Sequence, residues 1–69
     1  MNFKDKFYEA VAEWLRSEHG RKVHHVYEVE VLSDAVYVYY VDTVDPEYGD
    51  EGYDFYRYKG SILDLMEKL

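Results

Sequence analysis

The apolar period changes once along this chain, and that change limits the fold more than any other feature. From Phe3 the apolar positions run Phe7, Ala10, Val11, Trp14 and Leu15. That spacing is one face of an α-helix. Asn2 is a good N-cap, and Asp5, three residues on, favours the positive end of the helix dipole. Arg16 suits the negative end, and Gly20, just after His19, supplies a left-handed stop. Beyond Gly20 the period becomes two: Val23, His25, Tyr27, Val29 and Val31 alternate with His24, Val26, Glu28, Glu30 and Leu32. Two is the period of a strand.

A second strand rich in Val and Tyr follows from Ala35 to Thr43, and Ser33-Asp34 is placed to turn between the two. Pairing Leu32 with Ala35 sets Val31 opposite Val36, Val29 opposite Val38 and Tyr27 opposite Tyr40, all on one face. The other face then carries Val26, Glu28, Glu30, Tyr37, Tyr39 and Val41. The stretch from Asp42 to Gly52 holds Pro46 and two glycines and reads as a loop. A third strand is expected from about Tyr53 to Lys59. A short helix follows, with Ser61 as N-cap, Asp64 in the capping-box position, and an apolar stripe of Ile62, Leu65, Met66 and Leu69.

The order predicts an α+β fold, α-β-β-β-α, formed as a single domain over 1–69. Its three strands make an antiparallel meander with the helices on one face. Strand three has two registers. If Arg57 and Lys59 stay in water, Tyr56 and Tyr58 turn inward, and Tyr53 and Phe55 join the open face. The opposite register would bury two unpaired cations, which costs more than exposing one Phe. A core this small is marginal alone, so a homodimer is an expected outcome.

Composition removes several function classes. The 69 residues include 15 acidic and 8 basic side chains, a net charge of −7, and no cysteine. Disulfide scaffolds, thiol chemistry, iron–sulfur clusters and Cys-ligated zinc are therefore absent. No apolar run approaches the ~20 residues of a membrane span, and Lys4, Asp5, Lys6, Glu9 and Glu13 interrupt any leader-like core. No membrane partner and a cytoplasmic location are expected. The acidic balance argues against direct nucleic-acid binding, which needs a surplus of Lys and Arg.

Nothing in the sequence assembles a catalytic constellation, so no enzyme activity and no cofactor are expected. His24 and His25, as strand neighbours, are expected on opposite faces. One of them with His19 and an acid such as Asp42 could hold zinc or nickel, and no metal site is assigned. Asp42, Asp45, Glu47, Asp50, Glu51 and Asp54 gather six carboxylates in one stretch, but without the ligand spacing of an EF-hand. They read as a solvated acidic loop.

Two resemblances add to this reading. The order and lengths of the elements, with Tyr58-Lys-Gly-Ser-Ile-Leu-Asp-Leu-Met66 at the last strand-to-helix junction, resemble the double-stranded-RNA-binding domain and the HicA-type toxin fold. The toxins' Gly-Ser-His element is missing, with Lys22-Val23-His24 its nearest feature. Asp64 and Glu67 stand where the RNA-binding families carry a basic helix end. Only the architecture carries over. In size, acidity and tyrosine content the chain also resembles small phage-encoded inhibitors such as anti-CRISPR proteins and uracil-DNA-glycosylase inhibitors. That resemblance implies a nuclease or CRISPR effector as the partner.

The functional expectation is a small inhibitor that binds a partner's basic, nucleic-acid-handling surface by imitating a phosphate track. Glu28, Glu30, Tyr37 and Tyr39 on the open face are its expected contact residues. Asp45, Glu47, Asp50 and Glu51 in the loop are a second set. The alternative is a homodimeric structural or regulatory domain whose tyrosine face is its own interface.

Overall fold

The computed structural model describes residues 2–42 and 52–69. Helix α1 spans Phe3–Glu18, strands β1, β2 and β3 span Val23–Val31, Ala35–Asp42 and Tyr53–Lys59, and helix α2 spans Ile62–Lys68. The sheet is antiparallel in the order β1-β2-β3. The fold is α+β, as the sequence predicts. Both helix caps form where the side chains dictate: Asn2 Oδ1 accepts from Asp5 N at 2.9 Å, and Ser61 Oγ accepts from Asp64 N at 3.2 Å. The Ser33-Asp34 turn is closed by Leu32 N donating to Ala35 O at 2.8 Å.

One core lies between the helices and a single face of the sheet. Val11, Ala12, Trp14 and Leu15 of α1 and Leu65 of α2 meet Val23 and Val26 of β1 and Val36, Val38 and Tyr40 of β2. The buried stripe of α1 is rotated from the expected one. Ala12 is buried, whereas Ala10 and Phe3 are exposed, and Phe3 stacks on Phe7 instead. Tyr56 and Tyr58 of β3 pack against the core, and Arg57 and Lys59 stay in water. This is the register that avoids burying cations.

Strand β1 departs from simple alternation. Val29 faces Val38 and Val31 faces Val36 as expected, but Val26, not Tyr27, lies opposite Tyr40. The register slips at Tyr27 and again at His24, so two residues of β1 have no single partner on β2. Each slip is a β-bulge, which turns the chain over locally. Val26 therefore enters the core at 7 % exposure, and Tyr27 moves to the open face. Aliphatic burial explains the choice: Val23 and Val26 enter the core and half-buried Val29 packs against it, at a spacing of three, where strict alternation would have buried His25 and Tyr27. Arg16 closes the irregular stretch, donating from Nε to Val23 O at 2.9 Å and from Nη2 to His24 O at 3.1 Å.

Candidate protein-docking surface

The sheet face away from the helices is built from alternate residues of β2 and β3 and from the bulged strand β1. Strand β2 contributes Tyr37 and Tyr39, β3 contributes Tyr53 and Phe55, and the bulge in β1 adds Tyr27. These rings form one connected array. Tyr39 touches Tyr27, Tyr37 and Phe55 at centroid distances of 6.4, 6.4 and 6.1 Å. Tyr27 meets Tyr53 edge-on at 6.3 Å, and Tyr37 meets Phe55 at 6.1 Å. The array covers Val41, which is only 3 % exposed although it lies outside the helix-covered core. Tyr53, Phe55 and Tyr27 remain 71, 51 and 46 % exposed. An uncovered aromatic sheet face of this kind is typical of interaction sites.

Charge is unevenly placed around the array. Glu30, directly opposite Tyr37, stands on the β1 side. Arg57, on the β3 side, lies over the Tyr37 ring at 5.6 Å. Partial desolvation holds the Tyr39 phenol above its ordinary value, and the nearby Glu30 carboxylate adds to the shift. Glu28 behaves differently from Glu30. Its carboxylate accepts from Val29 N at 3.1 Å and from the Tyr8 hydroxyl of α1 at 3.5 Å. Its charged end is thus drawn round the β1 edge toward the helix side.

Of the expected contact residues, Glu30, Tyr37 and Tyr39 share the open face, and Glu28 sits at its rim. Asp45, Glu47, Asp50 and Glu51 lie outside the described residues. Tyr27 and Arg57 are additions. The Val23–Val26–Val29 spacing was the sequence signal for Tyr27, because it marks β1 as bulged.

Two other clusters resolve into structure. Arg21 Nη1 donates to the Tyr40 hydroxyl at 2.8 Å and to Phe55 O at 3.3 Å, and lies 3.5 Å from Asp54 Oδ2. The Tyr40 hydroxyl in turn donates to Asp54 at 3.2 Å. Asp54 thereby ties β3 to the connection after α1. Burial raises the Tyr40 phenol above its ordinary value, against the opposing pull of Arg21. His24 and His25 do not point apart as expected, because the bulge turns their rings together, with Nδ1 atoms 2.8 Å apart. One of these nitrogens donates and the other accepts. Among the described residues, no group of three or more His, Asp or Glu side chains is gathered for a metal ion. Among the same residues, no helix is long and apolar enough to cross a membrane.

Comparison with known proteins returned no matching family, no matching curated protein and no matching solved structure.

Proposed function

We propose that this protein acts by binding another protein through its open aromatic face, and that it blocks a basic, nucleic-acid-handling surface on that partner. The observation that carries the reading is the array of Tyr27, Tyr37, Tyr39, Tyr53 and Phe55, left uncovered by either helix and bordered by Glu30. Tyrosine suits such a role. It buries a large area for little side-chain entropy and keeps a polar tip for a polar partner. The overall charge of −7 favours a basic partner and speeds encounter with it. A nuclease or CRISPR effector presents that kind of surface, where carboxylates beside flat rings occupy the place of phosphates and bases.

The test is capture from a bacterial lysate on immobilised protein, with elution by rising salt and identification by mass spectrometry. Nucleic-acid-handling proteins should elute with salt. Reversing Glu28 and Glu30 to Lys should weaken the purified partner's binding by roughly tenfold, about 1.4 kcal/mol, while the fold survives. Binding unchanged in that double variant would sink the proposal.

A further inference from the structure

We propose that a second copy of this chain covers the open face when no other partner is present, stacked about a two-fold axis parallel to β2. This goes beyond the partner-blocking reading and rests on a different observation, the order of charge across the sheet.

The strand registers arrange the face in rows. Glu30 lies opposite Tyr37, and Tyr37 lies opposite Arg57, so one row across β1-β2-β3 reads acid, ring, base. The next row reads Glu28, Tyr39, Phe55. A two-fold axis along β2, midway between two stacked sheets, preserves height along the strands and exchanges β1 with β3. It sets Glu30 over the second copy's Arg57, Arg57 over the second copy's Glu30, and Tyr37 over its own mate.

In the next row Tyr39 meets its mate, and Phe55 meets the stem of Glu28. The Glu28 carboxylate is already held at the strand edge by Val29 N and Tyr8, so Phe55 faces methylenes and not a buried charge. Beyond that row, Tyr27 and Tyr53 give both edges an aromatic side chain.

A two-fold interface uses one patch twice, so the patch must complement itself. A face of single charge could not do this. Here acid and base sit at equal height on opposite edges, with rings between them. The result is an aromatic centre with two ion pairs at its rim, the ordinary anatomy of a protein interface. Stacked sheets sit about 10 Å apart and cross at about −30°. Glu and Arg side chains at the rim are long and flexible enough to meet across that gap. A foreign partner on this face and the second copy exclude each other.

Sedimentation velocity from micromolar to millimolar protein tests the arrangement, with circular dichroism to confirm folding. Wild type should show concentration-dependent dimers. Glu30→Arg makes the row base-ring-base, and Arg57→Glu makes it acid-ring-acid, so each alone should weaken dimerisation by roughly tenfold or more. An equimolar mixture of the two should recover dimers, because each row then complements the other. The double variant Glu30→Arg/Arg57→Glu should recover them too. A wild type that stays monomeric throughout, single variants that dimerise like wild type, or a mixture that recovers nothing would each overturn the proposal. None of these results bears on the salt-eluted partner, so the two readings fail separately.

Discussion

Gly20 and Gly60 hold the two connections that join the helices to the sheet, and they do so for different reasons. Gly20 has φ of +62°, with nothing within 4 Å of where a Cβ would sit. Only the left-handed backbone requires glycine there. Gly20→Ala should therefore cost about 1 kcal/mol. Gly60 has φ of +147°, and a Cβ would meet Tyr58 Cε1 at 2.9 Å. Its amide also donates to Asp34 O at 3.0 Å, tying the first hairpin to the last junction. Gly60→Ala should cost more than Gly20→Ala, by about 1–3 kcal/mol of added backbone strain. Denaturant midpoints of the two variants check the order, and equal losses would contradict it.

Tyr40 gives a second expectation at this scale. Its phenol, like that of Tyr39, is held above the ordinary value of about 10 in the folded protein. The folded state then keeps these protons at a pH where the unfolded chain has lost them. Their contribution is complete below pH ~10 and is lost as pH rises through the raised folded values. Thermal melts should fall in midpoint above pH ~10, and Tyr40→Phe should make that fall shallower. A midpoint flat across this window would refute the assignment.

At the scale of elements, α2 is the weakest attachment. Leu65 is its one fully buried side chain, while Leu63, Met66 and Leu69 are 70, 43 and 40 % exposed. Leu65→Ala should cost about 2–5 kcal/mol, and Leu63→Ala within about 0.5 kcal/mol. Hydrogen exchange should show α2 amides losing protection first in the Leu65 variant. Equal effects at the two leucines would mean that α2 packs on another face. Strand β1 is the most irregular element, and Arg16 compensates for it. The bulges take carbonyls out of the ladder, and the guanidinium of α1 bonds two of them.

For the whole molecule, charge sets the balance between staying folded and meeting a partner. A net charge of −7 on 69 residues repels itself in the compact state. Raising salt from about 0.01 to about 0.15 M shortens the screening length from ~30 to ~8 Å. The melting midpoint should therefore rise with sodium chloride over that range. A fall would mean that the Arg21–Asp54 and Arg16–Glu13 pairs outweigh the general repulsion. The same charge separates the two proposed occupants of the open face. Salt should weaken a basic partner strongly but not the second copy, since screening the repulsion between two copies of charge −7 offsets the loss at the rim pairs and rings form most of that contact.

The sequence by itself determined the elements and their order. Asn2, Gly20, Ser61 and the change of period are local signals, read by the backbone within a turn of where they stand. It also favoured the face of β3 that the fold adopts, because Arg57 and Lys59 resist burial wherever the strand lies. Only the tertiary structure decided the course of β1. Alternation predicts Tyr27 inward and His24 and His25 on opposite faces. Packing against α1 and β2 demanded Val23 and Val26 in the core with Val29 packed against it, and two bulges followed. Those bulges put Tyr27 into the aromatic face and drew the two histidines together. The Arg21–Tyr40–Asp54 linkage was equally hidden, since its members are 14 to 33 residues apart and carry no shared pattern. A bulge shifts a strand by one residue at a time, and the energy that selects it comes from neighbours distant in the chain. That is why the open face and most of its rings could be expected from the sequence while the place of Tyr27 in it could not.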